Sequence, residues 1–149
     1  MNTENLGKPI EILLVDDNAG DARLALESLK ESKIRNTLNW VQDGVEAMAF
    51  LRRHGKYATA PRPDLILLDL NMPKMDGREV LKKMKSNDAY RKIPVIVFST
   101  TKNQLEVKRC YDLGANTYIV KPVSYDTLVE TIREICTYWF NTATLIDVH

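Results

Sequence analysis

The sequence predicts a three-layer α/β domain, with one parallel sheet doubly wound between two layers of helices. Two observations carry this reading. Five short apolar runs alternate with five helical patterns along the chain, and such alternation implies parallel strands joined by right-handed crossovers. The third run, Leu65 to Leu68, is apolar at every position, as in a strand buried on both faces. No repeat, low-complexity stretch or linker interrupts the pattern, and 149 residues are enough for one core.

The elements follow in order. Glu11 to Val15 is the first strand, and Asp16-Asp17-Asn18 follows it at once. A helix comes next, with Ala22, Leu26 and Leu29 on one face, fading near Ser32 to Asn36. Thr37 to Val41 is the second strand and contains Trp40; Gln42-Asp43-Gly44 is a turn. Val45 to Arg53 is helical, with Ala47, Met48 and Leu51 inward, and Gly55 to Pro63 is a loop. The third strand runs from Leu65 to Leu68 and ends in Asp69. The loop after it holds Asn71, Pro73 and the pair Asp76-Gly77, which opens a helix to Lys85. Val95 to Ser99 is the fourth strand, Asn103 to Leu113 a helix stopped by Gly114, and Thr117 to Val120 the fifth strand. Ser124 caps the last helix, which carries Leu128, Ile132, Ile135 and Trp139 on one side.

Composition excludes several classes. With 21 basic and 20 acidic residues the formal net charge is +1, which gives no argument for nucleic acid. No apolar run approaches the ~18 residues of a membrane span, and residues 1–8 lack the apolar core of a secretion signal, so the cytosol is expected. Cys110 and Cys136 form no CxxC and read as reduced, half-buried thiols. His54 and His149 have no metal-ligand spacing to anything. Lys82, Lys83 and Lys85 read as a solvated basic face.

Parallel strands bring their carboxyl ends to one edge, where open α/β sheets place their chemistry. Meeting there are Asp16 and Asp17, Asp69 and Asn71, Ser99 with Thr100 and Thr101, and Lys121. Each alone could be structural: Asp16, Asp17 and Asn18 as helix caps, Asp69 as a strand end, Lys121 as a surface charge. Together they form a set. Three close carboxylates repel unless a cation joins them, and an oxygen-only cluster suits Mg²⁺. A metal, a lysine, a hydroxyl donor and a free carboxylate suit phosphoryl transfer, with Asp69 as the nucleophile.

On Leu14-Val15-Asp16-Asp17, Asp69 through Gly77, the strand ending at Ser99, and Gly114-Ala115 followed by Tyr118-Ile119-Val120-Lys121-Pro122, the chain resembles the response-regulator receiver domains of two-component signalling. The resemblance implies a flavodoxin-like (βα)5 fold with strand order 2-1-3-4-5, an extension over residues 1–8, a receiver over 9–140, and a tail over 141–149 with no output domain. It also implies that Asp69 takes a phosphoryl group from a histidine kinase. Mg²⁺ would be bound by Asp17, Asp69 and the backbone carbonyl of Asn71, with Asp16 acting through a water. Lys121 would pair with the phosphoryl oxygens. Ser99 and Tyr118 would form the switch, and the Lys121-Pro122 bond would be cis. A phosphoryl group adds about −1.5 to −2 charge, enough to bias a two-state loop.

Further stretches, Ala47-Met48-Ala49-Phe50-Leu51, Gly55-Lys56-Tyr57 to Pro63, Gly77-Arg78-Glu79-Val80-Leu81 and Tyr138-Trp139-Phe140, resemble the small regulators that partner bacterial, especially cyanobacterial, phytochromes. That implies a phytochrome-like kinase as partner and a homodimer through the last helix and Tyr138, Trp139 and Phe140; the alternative is that these aromatics close the core. Asn18, Ala19 and Asp21 would lie where a kinase helix docks. The resemblance leaves the protein outside the enzymes, apart from catalysing its own phosphorylation and dephosphorylation. Two rivals share parts of the pattern. A haloacid-dehalogenase-type phosphatase needs a second acid two residues after its nucleophile, and Asn71 stands there. A flavodoxin-like cofactor binder needs a phosphate-cradling loop after the first strand, where Asp16 and Asp17 would repel a phosphate.

Overall fold

The sheet is built from short runs whose alternate residues face opposite sides, and all of its strands are parallel. In the computed structural model, which describes residues 9–31, 35–72, 74–122 and 124–139, the strands are Ile10–Val15 (β1), Asn36–Val41 (β2), Leu65–Asp69 (β3), Val95–Ser99 (β4) and Thr117–Val120 (β5). Their spatial order is β2-β1-β3-β4-β5, the order expected from the resemblance. The helices are Ala19–Lys30 (α1), Gly44–Arg52 (α2), Gly77–Lys85 (α3), Gln104–Asp112 (α4) and Tyr125–Thr137 (α5).

Residue parity along the central strands decides which helices lie on which face. Leu13, Val15, Ile66, Leu68, Val95 and Val97 pack with Met48 and Leu51 of α2, Leu81 and Met84 of α3, and Cys110 of α4. The intervening residues, among them Ile12, Leu14, Leu67, Ile96 and Phe98, pack with Ala22, Ala25 and Leu29 of α1 and with Leu128, Ile132 and Ile135 of α5. Every residue of β3 is buried, as its unbroken apolar run required, and each such Leu or Ile contributes about 1.5–3 kcal/mol on leaving water. With helices on both faces, the open positions for chemistry lie at the ends of the strands.

Caps set where the helices begin. Asn18, Asp43, Asp76 and Asn103 each accept backbone N–H bonds from the first turn of the helix that follows. Asp76 takes two, from Arg78 N at 2.8 Å and Glu79 N at 3.2 Å. Replacing it with Ala is expected to cost about 1 kcal/mol, read as a lower urea midpoint with unchanged slope.

Several expectations need correction. β1, β2 and α2 each begin one residue earlier than their apolar patterns suggest, and α2 stops at Arg52 because Arg53 adopts a left-handed conformation, φ 58°. α4 is one residue shorter at each end because its cap positions, Asn103 and Leu113, lie outside it. The loop from Gly55 contains a 3₁₀ turn, Gly55–Tyr57. Ser124 stands at the N-cap of α5, yet its side chain makes no capping bond. There is no cis peptide among the described residues, so Lys121-Pro122 is trans, the isomer favoured by about 0.5–1 kcal/mol. Lys82 and Lys83 are solvated, but Lys85 folds inward and donates to the carbonyls of Arg91 (2.9 Å) and Ile93 (3.0 Å); burial lowers its pKa. Cys110 is fully buried and free, deeper than expected, while the side chain of Cys136 lies outside the described ones. Among the described residues no helix is long and apolar enough to cross a membrane.

Candidate functional site at the carboxyl edge of the sheet

Asp16 and Asp69 close β1 and β3, whose Val15 and Leu68 are register partners, so the two acids must be neighbours. Asp17 follows Asp16. One carboxylate oxygen from each of the three lies within 4.8 Å of the others. Asp16 and Asp69 are buried, 4% and 7% exposed, and Asp17 is open to solvent. Backbone groups and an ammonium hold the two buried acids. Asp16 Oδ1 accepts from Asn18 N at 2.9 Å, and Asp69 Oδ1 accepts from Asn71 N at 3.3 Å. Lys121, arriving after β5, places Nζ 3.1 Å from Asp16 Oδ2 and 3.8 Å from Asp69 Oδ2.

The electrostatics follow from crowding and burial. Burial pushes the Asp69 carboxyl up to about 6; Lys121 pulls it back, and the charge of Asp16 adds to the rise. Burial also raises Asp16, against the Asn18 N–H and Lys121. Burial works against the charge of Lys121, but Asp16 and Asp69 outweigh it and hold its pKa above the usual lysine value. The hard-oxygen donor set and the strain of three adjacent carboxylates fit a divalent cation, and the cluster is able to coordinate one.

Ser99 is fully buried at the end of β4, and its Oγ accepts from Thr101 N at 3.2 Å. The carbonyl of the same Thr101 accepts from the Tyr118 hydroxyl at 2.9 Å. Ser99 and Tyr118 are thus tied to one loop residue, and the Tyr118 ring already reaches toward the loop. The N–H of Tyr118 in turn donates to the hydroxyl of Tyr111 on α4, at 2.9 Å. Thr100 is exposed.

Two contacts of the site lie outside the sequence reading, which names Trp40 only as a strand residue and Asp21 only as part of a kinase-docking surface. The indole of Trp40 donates to the carbonyl of Asp16 at 2.7 Å, reaching across from β2. Asp21, in the first turn of α1, places Oδ2 3.1 Å from Lys121 Nζ. The only signal in the sequence was an acid at the third helical position after a capping Asn. At the other end of α5, Tyr138 and Trp139 stack edge to face with centroids 5.5 Å apart. Trp139 packs on the core, while Tyr138 is 54% exposed. Phe140 lies outside the described residues.

Residues 12–133 match the response regulator receiver domain. The chain belongs to this family. Response regulator Rcp1 of Synechocystis sp. is 45% identical over 137 residues, covering 92% of this chain and 93% of the relative. Among solved structures, the phosphorylated cyanobacterial phytochrome response regulator RcpA superposes with a TM-score of 0.90 at 47% identity, covering 93% of this receiver and 99% of that chain. The Mn²⁺-bound form of Rcp1 gives 0.89 at 45% identity, covering 93% and 100%. This receiver is closely related to that cyanobacterial group, and it carries the acidic cluster typical of phosphorelay response regulators. Its chemistry is self-phosphorylation and self-dephosphorylation, not turnover of a separate substrate. Both rival readings fail against this identity.

Proposed function

We propose that this receiver accepts a phosphoryl group on Asp69 from the phosphohistidine of a histidine kinase of the phytochrome type. The observation that carries the proposal is the meeting of Asp16, Asp17 and Asp69 around one point, with the Lys121 ammonium 3.8 Å from Asp69. An Asp69 oxygen attacks phosphorus as the bond from phosphorus to the imidazole nitrogen breaks, and the imidazole leaves with that electron pair. The Asn71 N–H orients the carboxylate. Asp17, Asp69 and the carbonyl of Asn71 would hold Mg²⁺, with Asp16 acting through a water; the ion, when bound, neutralises charge on the transferring group. Lys121 supplies the remaining positive charge to the phosphoryl oxygens.

Ser99, Thr101 and Tyr118 form the readout. A new anion beside Ser99 offers its hydroxyl a stronger acceptor, and the Ser99–Thr101–Tyr118 bonds carry any shift of that loop to the outer face of β5. The phytochrome-type partner is supported by RcpA, a cyanobacterial phytochrome response regulator, and a light-sensing partner more broadly by a response regulator in red light signaling of R. palustris, at 32% identity with a TM-score of 0.85, covering 93% of this chain and 99% of that one. We propose that two copies pair, as the family resemblance implies, at the end of α5, where exposed Tyr138 supplies apolar surface; sedimentation velocity is expected to show a dimer that Tyr138→Ala weakens.

The acceptor role is tested by mixing the protein with Mg²⁺ and a small acyl phosphate and mapping the adduct by mass spectrometry. The expected result is one phosphoryl group on Asp69, lost on adding a chelator before the donor. In Asp69→Asn, acceptance is expected to fall at least ~100-fold, since an amide oxygen is a poor nucleophile. An adduct that persists in that variant at the native rate overturns the assignment.

A further inference from the structure

The ammonium of Lys121 stands among three carboxylates at unequal distances. Nζ donates to Asp16 Oδ2 and to Asp21 Oδ2, each at 3.1 Å, and lies farther from Asp69 Oδ2, at 3.8 Å. An ammonium has three protons to give. Two are committed to the acids of β1 and α1, and the Asp69 contact is an ion pair at longer range. Asp21 is therefore the group that draws Lys121 toward α1.

The local fold prepares Asp21 for this. Its backbone N–H is the one capped by Asn18 Oδ1, at 2.9 Å, so the residue is fixed at the start of α1. An acid in that turn also sits against the positive end of the helix dipole. Asp21 is partly buried, 29% exposed in its side chain against 13% for that of Lys121, so the pair is shielded from full solvent screening. Asp21 is not one of the three acids whose oxygens converge within 4.8 Å. It acts on the site through the lysine.

The consequence concerns the acceptor oxygens. An ammonium drawn fully onto Asp16 and Asp69 would compete with a divalent cation for the same oxygens and would blunt the nucleophile. We propose that Asp21 is a positioning residue that anchors Lys121 off Asp69, keeping the acceptor carboxylate open to the cation and to the phosphoryl donor. This rests on the reading of Asp69 as acceptor. After transfer, the phosphoryl oxygens and Asp21 compete for the same ammonium, so Asp21 also sets how readily Lys121 moves.

The test is a titration of the full chain with Mg²⁺ alone, read by calorimetry and, in a Trp139→Phe background, by the fluorescence of Trp40, whose indole bonds the Asp16 carbonyl. Asp21→Asn preserves shape and removes the anchor; Asp21→Glu keeps a carboxylate. The expected result is a Mg²⁺ dissociation constant raised about three- to tenfold in Asp21→Asn, largely restored in Asp21→Glu. In the background of Lys121→Met the same Asp21→Asn change is expected to alter Mg²⁺ affinity less than about twofold. Equal fold-changes in the two backgrounds mean that Asp21 acts only as a distant negative charge, and overturn the proposal. The rate of adduct formation with an acyl phosphate separates the two levels of reading. Adduct formation at equal rates in the native protein and Asp21→Asn, with equal Mg²⁺ affinity, overturns the positioning role alone. No adduct on Asp69 in the native protein overturns the acceptor reading and the positioning role with it.

Discussion

At pH 7.5, Mg²⁺ at 100 times its dissociation constant is expected to raise the melting temperature by about 5–10 °C, and the same concentration at pH 5 to raise it by only about half as much. The argument starts from Asp69, which burial pushes up to about 6. An acid whose pKa is raised in the folded state binds its proton more tightly there than when unfolded. Stability from this group therefore falls as pH rises from near its ordinary value of 3.8 to about 6, and above that the full penalty is present. The size is on the order of 2–3 kcal/mol at neutral pH, and Asp16, raised in the same direction, works the same way. A cation binding the ionised cluster in the folded state alone stabilises by about 2.7 kcal/mol at that concentration. At about 2–4 °C per kcal/mol for a chain of this size, the shift above follows.

Below the Asp69 pKa the cation must displace a proton first, so its effect fades. Melting with Mg²⁺ and with a chelator at each pH isolates this term from general acid destabilisation. Asp69→Asn is expected to remove the Mg²⁺ shift and to raise the melting temperature of the metal-free protein at pH 7.5, because a neutral amide carries no ionic desolvation cost. An Mg²⁺ shift of the same size at both pH values would falsify the argument.

How much of this was visible in the chain depends on what kind of contact is asked about. The strand-end acids could be read because parallel strands end on one edge, so Asp16, Asp17, Asp69, Ser99 and Lys121 had to converge once the alternation was seen. The two-sided burial of β3 followed from Leu65 to Leu68 alone. The Asp21–Lys121 bond was hidden because it depends on how α1 and the loop after β5 meet over that edge, and the two residues are 100 positions apart. The Trp40 indole was hidden for a related reason. β2 is an edge strand of mixed burial, and its pattern does not say which way a large half-exposed ring folds. Lys85 read as solvated because nothing in a run of lysines marks the one whose stem lies over Gly114 and whose head meets two carbonyls. The trans Lys121-Pro122 bond was mispredicted because the expectation came from the family and not from these residues.

A single methyl group at the start of α3 is expected to cost both stability and reactivity. A Cβ on Gly77 would stand 2.4 Å from the Asp69 carbonyl oxygen and 2.8 Å from Leu70 Cα. Both are backbone atoms of the segment that ends a strand buried at every position, so neither can swing aside as a side-chain tip would. The Gly77 N–H also donates to the Leu70 carbonyl at 2.9 Å, which pins the helix start to the strand end. Gly77→Ala must therefore lift α3 from the sheet or displace Asp69. Overpacking costs about 1–3 kcal/mol where side chains yield, and against backbone the upper end or more is expected, a fall in melting temperature of roughly 6–12 °C. Gly44→Ala belongs to the same class, since its Cβ would stand 2.1 Å from the Met75 carbonyl oxygen. Gly20→Ala is the control: its Cβ meets only the Asn18 side-chain oxygen, at 3.2 Å, and a change within about 1 kcal/mol is expected. The acceptor should report the same strain. Because the clash falls on the residue that carries the nucleophile, Gly77→Ala is expected to slow adduct formation on Asp69 at temperatures where the variant is still fully folded, whereas Gly44→Ala, which presses on Met75, should lose stability with a smaller change in that rate. Similar rates in the two variants would mean that α3 moves and Asp69 does not.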